Sequence, residues 1–292
     1  MPSRLISLAR RFDRFQRERA WLAFPIAVMR KFGDDRGGSL AALIAYYGFF
    51  SVFPLLLVLV TILGWALQDG SLRERVLDSA LAQFPVIGTQ IRENVGELRG
   101  GAGALAIGLL GALWAGTGVV EATRSAMDEV WNVPNRERPG LLESRARSLL
   151  VLFGAGLAVL ASTVIAGLGT SGDGLLGNLA WLGGSLVVDM GLLLFAFRVL
   201  TAEEVGWRDV FPGAAMGAIA WVVLQTMGGI LVDRQIRGAT DVYGLFAIVI
   251  GLLVWMYILA QVLIVAAEIN VVRRRRLWPR SFLGLTPEVS SA

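Results

Sequence analysis

The stretch VYGLFAIVIGLLVWMYILAQVLIVAA, Val242–Ala267, carries no charged residue and is followed closely by four arginines, Arg273–Arg276. A helix crosses a hydrocarbon core of ~30 Å with ~20 apolar residues. Inside lipid, only a helix or a closed barrel can satisfy its own backbone polar groups. The stretch therefore reads as a membrane span, ended by a block of charge that resists translocation. Toward the N-terminus, five more apolar runs reach the same length: Gly37–Gln68, Gly100–Val120, Ser148–Gly172, Gly174–Phe197 and Val210–Val232. A single charge, Asp189, interrupts them. The expected fold is all-α, a polytopic membrane protein of six transmembrane helices.

Orientation follows from the basic residues. Threading six spans back and forth places 21 of the 27 Lys and Arg in the N-terminal segment, the second and fourth connections and the C-terminal tail. The first and fifth connections hold the other 6. Positive charge is retained on the cytoplasmic side, so both termini are expected there. This divides the chain into a basic cytoplasmic segment (1–36), a membrane domain (37–272) and a basic cytoplasmic tail (273–292). Leu5, Leu8, Phe12 and Phe15 recur at helical spacing among arginines, the pattern of an amphipathic helix lying on the inner leaflet. The first span is too long for a signal h-region, and no small-residue cleavage site follows it. The external connection 69–99 carries two apolar stripes parted by Pro85, which read as two short interfacial helices. The second helix is expected to run past the bilayer and to end at Asn132 and Pro134.

Composition narrows the function. A hydrophobic content of 55 % with 35 glycines suits a bundle whose backbones approach closely. Gly213-x-x-x-Gly217 and Gly108-x-x-x-Ala112 point the same way, to a tightly packed bundle or a homo-oligomer. The expected partners are the bilayer itself, anionic lipids at the cytoplasmic face and other envelope proteins, not nucleic acid. The chain has neither His nor Cys, which removes the commonest general base, the commonest metal ligand and every thiol. No Walker A loop or Gly-x-Ser-x-Gly elbow is present. No cofactor, no metal and no enzymatic reaction are expected.

Five stretches in order carry a family resemblance: AALIAYYGFFSVFP at Ala41–Pro54, ALW at Ala112–Trp114, the segment from Glu121 to Trp131, WRDVFPGA at Trp207–Ala214, and Tyr243–Asn270. Together they resemble the YihY/BrkB family of bacterial inner-membrane proteins over roughly residues 25–276. Ala266-Ala267 precedes Glu268 where that family's pattern has Gly-Ala. The resemblance implies a six-helix protein of the inner membrane with a loose link to envelope integrity and to export of lipid or other envelope material. Members have often carried the label ribonuclease BN. A zinc ribonuclease needs His and carboxylate ligands on a soluble scaffold, and a chain without histidine argues against that chemistry.

Polar groups within the spans are the candidate functional residues. Asp189 sits mid-span, where a carboxylate costs ~2.5–3.5 kcal/mol on insertion scales and needs a cavity, a partner or a proton. It reads either as a proton- or cation-coupling group or as a packing residue bonded to Gln225 of the next span. Tyr257, Gln261 and Glu268 share one face of the last helix, with Glu268 and Asn270 at its cytoplasmic mouth. That stripe lines a path or makes interhelical hydrogen bonds, Glu268 pairing with an arginine. Tyr47, Ser51 and Pro54 share a face of the first span, where Pro54 frees the Phe50 carbonyl and Ser51 can partly compensate. Glu121, Arg124 and Asp128 read as ordinary surface pairing. Two functions follow: a carrier of lipid or small envelope solute, or a non-catalytic scaffold.

Overall fold

A computed structural model describes residues 19–66, 102–134, 136, 140, 146, 148–154, 175–231 and 245–279. The chain folds into helices α1 (Ala20–Asp34), α2 (Gly37–Ala66), α3 (Ala102–Val130), a helical stretch over 148–154, α4 (Leu175–Leu200), α5 (Trp207–Leu231) and α6 (Leu245–Arg274). No strand occurs among the described residues. Among the described residues, four helices are long and apolar enough to cross a membrane, over Gly37–Leu55, Ala106–Val130, Gly183–Leu200 and Val249–Arg274. Helix α5, at 25 residues, has the length, but it opens on Trp207-Arg208-Asp209 and carries Gln225. The expected span Ser148–Gly172 is described only over 148–154. The connection 69–99, the short connections at 171–174 and 233–241, and the basic stretch 5–17 lie outside the described residues.

Helix α6 is the hub, packing along α2, α5 and α1. Helix α3 lies against α2, and α4 against α5. The largest buried cluster joins Ala41 and Ile44 of α2, Met127, Val130 and Trp131 around the end of α3, Phe197 and Leu200 of α4, Val210 and Ala214 of α5, and Ile264 and Val271 of α6. These positions fall at the start of α2 and α5 and at the end of α3, α4 and α6. The largest cluster therefore lies at one end, which is also the arginine-rich end, and a second one of Ala45, Val52, Leu252, Trp255 and Met256 packs α2 on α6 farther along. Elsewhere the helices show apolar side chains outward, as Trp114, Val187 and Phe246 do.

Local chemistry sets the ends. Helix α3 stops at Val130 because Asn132 turns left-handed (φ 53) and the Val133 N–H reaches back to the Asp128 carbonyl at 2.8 Å. This is a Schellman-type cap with asparagine in the position glycine usually holds. Residues 20–34 of the basic N-terminal segment form α1. Its Ala23, Ala27 and Val28 are buried, the last two against Val272 of α6, and Phe24 meets Trp278 edge-on at 5.3 Å.

Small residues decide how closely the helices approach. A Cβ on Gly213 would overlap the Ala266 carbonyl oxygen and come within 2.5 Å of both amide atoms of Asn270. On Gly217 it would meet Leu193 at 2.9 Å and Ala266 at 3.1 Å. The Gly213-x-x-x-Gly217 pair thus seats α5 on α6 and α4 within one chain. Gly108 and Gly111 do the same for α3 against Leu57, Val58 and Pro54 of α2.

Because the obstacle at Gly213 is backbone, Gly213→Ala is expected to destabilise the fold by about 1–3 kcal/mol or more. Gly191→Ala, with no described neighbour within 4 Å of the added carbon, is expected to be neutral or stabilising by up to ~1 kcal/mol through helix propensity. Thermal unfolding in detergent, one variant beside the other, checks both.

Candidate functional site

The polar residues expected to line a path do not converge. Tyr47 is half-buried and lies on Gly118 of α3, where a Cβ would stand 2.7 Å from its ring. Pro54 lies on Gly111 of the same helix. Ser51 donates to the Gly48 carbonyl at 2.8 Å, one turn back, rather than to the Phe50 carbonyl that Pro54 releases. Helix α2 runs on through Pro54 to Ala66. Tyr257 turns toward α2, its hydroxyl beside Gly38. Gln225 and Gln261 are half-buried on α5 and α6. Asp189 is half-buried in α4, with no hydrogen bond or ion pair among the described residues.

Charge gathers instead at the arginine-rich end. Lys31, in the last turn of α1, is 3 % exposed. Its ammonium donates to the Val130 carbonyl at 2.7 Å, bonds the Asp35 carboxylate and lies 3.2 Å from Glu268 Oε2. The arrangement follows from helix ends. Asp35 is four residues from Lys31, an intrahelical spacing. Val130 closes α3, so its carbonyl lacks an intrahelical donor and sits at the negative end of that helix. Glu268 is fully buried, and neither carboxylate oxygen receives an aligned hydrogen bond. Its partner is Lys31, where an arginine was expected. Lys31 thus hydrogen-bonds the end of α3 and the turn after α1 and stands in ion-pair contact with α6.

A second network runs alongside. Arg124 spans Glu121 at 2.6 Å and Asp128 at 3.1 Å. The Arg124–Asp128 pair is not a surface pair, Asp128 being 0 % and Arg124 9 % exposed, whereas Glu121 is exposed as expected. Asp128 also accepts the Ala202 N–H at 3.2 Å and so fixes the α4–α5 turn to α3. Asn270 accepts the Gly213 N–H at 2.7 Å, across the seam where glycine lets α5 touch α6. Arg275 donates to the Trp131 carbonyl at 2.6 Å and to Glu203 at 2.8 Å. Arg274 reaches Glu203 and the Glu204 carbonyl, and its guanidinium lies 5.4 Å over the Trp131 ring.

Sequence reasoning missed Lys31 and the burial of Asp128. The signal for Lys31 was present: Ala23, Ala27 and Lys31 recur every fourth residue, so the small face of α1 that packs inward carries the lysine with it. Asp128 gave no such sign, because its spacing from Arg124 is that of any exposed pair. No group of three acidic side chains positioned to hold a metal ion occurs among the described residues.

The profile of the family described as Virulence factor BrkB matches residues 28–281. The chain belongs to the BrkB family. Among its relatives, the ribonuclease-like protein YfkH of Bacillus subtilis strain 168 is 23 % identical over 277 residues, covering 87 % of this chain and 96 % of that protein. A UPF0761 membrane protein of Stenotrophomonas maltophilia strain R551-3 is 24 % identical over 85 % of this chain, and another from Alkalilimnicola ehrlichii is 27 % identical over 84 %. The chain spans 60 % and 57 % of the length of those two proteins. No solved structure matches it. The BrkB match includes Lys31, Asp128, Asp189 and Glu268, so the buried charges and the intramembrane acid all lie within the part shared with the family.

Breaking one partner of a buried pair strands the other charge, at a cost of ~3–5 kcal/mol. Lys31→Met is expected to lose about that much. The double variant Lys31→Met/Glu268→Leu is expected to lose less than Lys31→Met alone, because no charge on α6 is then abandoned. Chemical unfolding of the single and double variants measures the coupling, and simple additivity would mean that the two groups act independently.

Proposed function

We propose that this BrkB-family protein is a six-span protein of the bacterial inner membrane, with both termini cytoplasmic, that serves envelope maintenance by carrying a lipid or small envelope solute. The observation that carries the reading is Asp189, an acid in the apolar helix α4 without a partner among the described residues. An ionisable group in that setting is expensive and is a default candidate for proton or cation coupling. The charge cluster around Lys31 supplies the second element a carrier needs, a closure at the arginine-rich end. Buried ion pairs add little net stability over apolar packing. A closure built from them can also be reopened by changing charge. Neither reading involves enzymatic turnover, consistent with a chain that lacks His and Cys.

A scaffold is the second reading. It draws on the same closed end, which presents a fixed surface made from α1, the α4–α5 turn and the end of α6. The two separate at Asp189, which a scaffold does not need in ionisable form.

In proteoliposomes containing the full chain, flux of labelled lipids and small envelope solutes is expected for wild type. In Asp189→Asn it is expected to fall at least tenfold, with the thermal midpoint unchanged. Equal flux in both would remove Asp189 from the account, and absence of flux across the panel for folded protein would leave the scaffold.

A further inference from the structure

Where the ends of α4, α5 and α6 meet, six guanidiniums stand against three carboxylates: Arg198, Arg208 and Arg273–Arg276 against Glu203, Glu204 and Asp209. Half of the arginines are used internally. Arg198 donates to the Val205 carbonyl at 2.6 Å and covers the Trp207 ring at 4.8 Å. Arg274 and Arg275 occupy Glu203, and Arg274 also lies 3.7 Å from Asp209. Arg208, Arg273 and Arg276 are exposed, and their side chains make no hydrogen bond or ion pair among the described residues. The Arg274–Asp209 pair sets the end of α6 beside the first turn of α5. Arg208 and Arg273, each one residue from a paired neighbour, therefore flank the same corner.

An apolar track begins at that corner. Trp207 and Phe211, one turn apart, are 55 % and 50 % exposed. Met216, Ile219, Val223 and Met227 continue the exposed side of α5. The other side is taken by α6 and α4 through Gly213 and Gly217. At ~1.5 Å per residue, Trp207 to Ile219 covers about 18 Å, close to the depth of one leaflet of a ~30 Å hydrocarbon core. Cationic groups at the head of an apolar track of that length fit one kind of occupant. A free phosphate would use the arginines and leave the track bare; a neutral lipid would use the track and leave the guanidiniums without an anion.

We infer that Arg208 and Arg273, with Trp207 and the exposed side of α5, form a binding site for an anionic phospholipid, the headgroup phosphate on the guanidiniums and an acyl chain along Phe211 to Ile219. Internal pairing of Glu203 and Asp209 leaves the free arginines to the headgroup. Trp207, pinned from one side by Arg198, marks the depth of the interface, as amphipathic aromatic rings do. The inference does not depend on whether the protein carries a solute.

The test is native mass spectrometry of the full chain in detergent, titrated with phosphatidylglycerol, with phosphatidylcholine and with inorganic phosphate. Wild type is expected to hold phosphatidylglycerol at least tenfold more tightly than phosphatidylcholine. Arg208→Gln and Arg273→Gln are each expected to weaken that binding about fivefold, equivalent to ~1 kcal/mol per basic residue at an anionic surface. Ile219→Asn is expected to weaken phosphatidylglycerol binding and leave inorganic phosphate unaffected. Equal retention of the two lipids, or a preference that survives Arg208→Gln and Arg273→Gln in folded protein, would overturn the site. Displacement of the lipid by millimolar inorganic phosphate would overturn it in favour of a bare anion site.

Discussion

A lysine ammonium held between a helix-end carbonyl and two carboxylates is the constraint on which the arginine-rich end depends. Lys31 donates to the Val130 carbonyl and to Asp35, and its ammonium stands in ion-pair contact with Glu268. Each partner belongs to a different position in the fold: the end of α3, the turn after α1 and the last third of α6. An exposed ion pair would contribute at most ~1 kcal/mol. Here both Lys31 and Glu268 are withdrawn from water, so the geometry is enforced by the cost of breaking it rather than by net attraction. Register follows. With Lys31 fixed on Glu268, Val28 falls on Val272 and Phe24 on Trp278, and α1 becomes part of the bundle.

The remaining contacts at this end serve the same need. Helices that cross a bilayer gain nothing by hiding apolar surface from lipid, so their association rests on close packing and polar contacts. The polar contacts concentrate here, while close packing also occurs farther along, where Gly108 and Gly111 meet α2. Gly213 brings α5 against the backbone of α6, and Asn270 accepts the N–H exposed by that approach. Asp128 holds the α4–α5 turn, and Arg275 holds the cap of α3. The rest of the bundle presents apolar side chains outward and needs fewer such devices. The site occupied by these charges and Asp189 of α4, which has no partner among the described residues, belong to different parts of the structure, as the proposed coupling acid and closure would.

The apolar runs were legible because length and hydropathy are summed over ~20 residues and survive individual exceptions. The end of α3 was legible from Asn132 and Pro134, since a left-handed asparagine after the last turn is a local signal. Helix α5 opens on a polar first turn and packs on two neighbours through its glycines, which hydropathy summed over a window does not reveal. The polar stripe Tyr257, Gln261 and Glu268 was legible as a spacing but not as a site. Period alone cannot say that Tyr257 faces α2 while Glu268 faces α1, because that depends on which neighbour lies at each depth. Lys31 was hidden by its surroundings: a lysine in a basic segment before a span reads as a topological charge, and only its register with Ala23 and Ala27 places it inside.

A distance measurement tests the fixing of α1 to α6 most directly. The chain has no cysteine, so spin labels can be placed without background at exposed positions on the two elements, Met29→Cys on α1 and Arg273→Cys at the end of α6. Pulsed electron paramagnetic resonance on protein in nanodiscs is expected to give one narrow distance population, which broadens when Lys31→Met is added. A broad distribution in the otherwise unaltered protein, or a narrow one indifferent to Lys31→Met, would contradict the role given to that lysine.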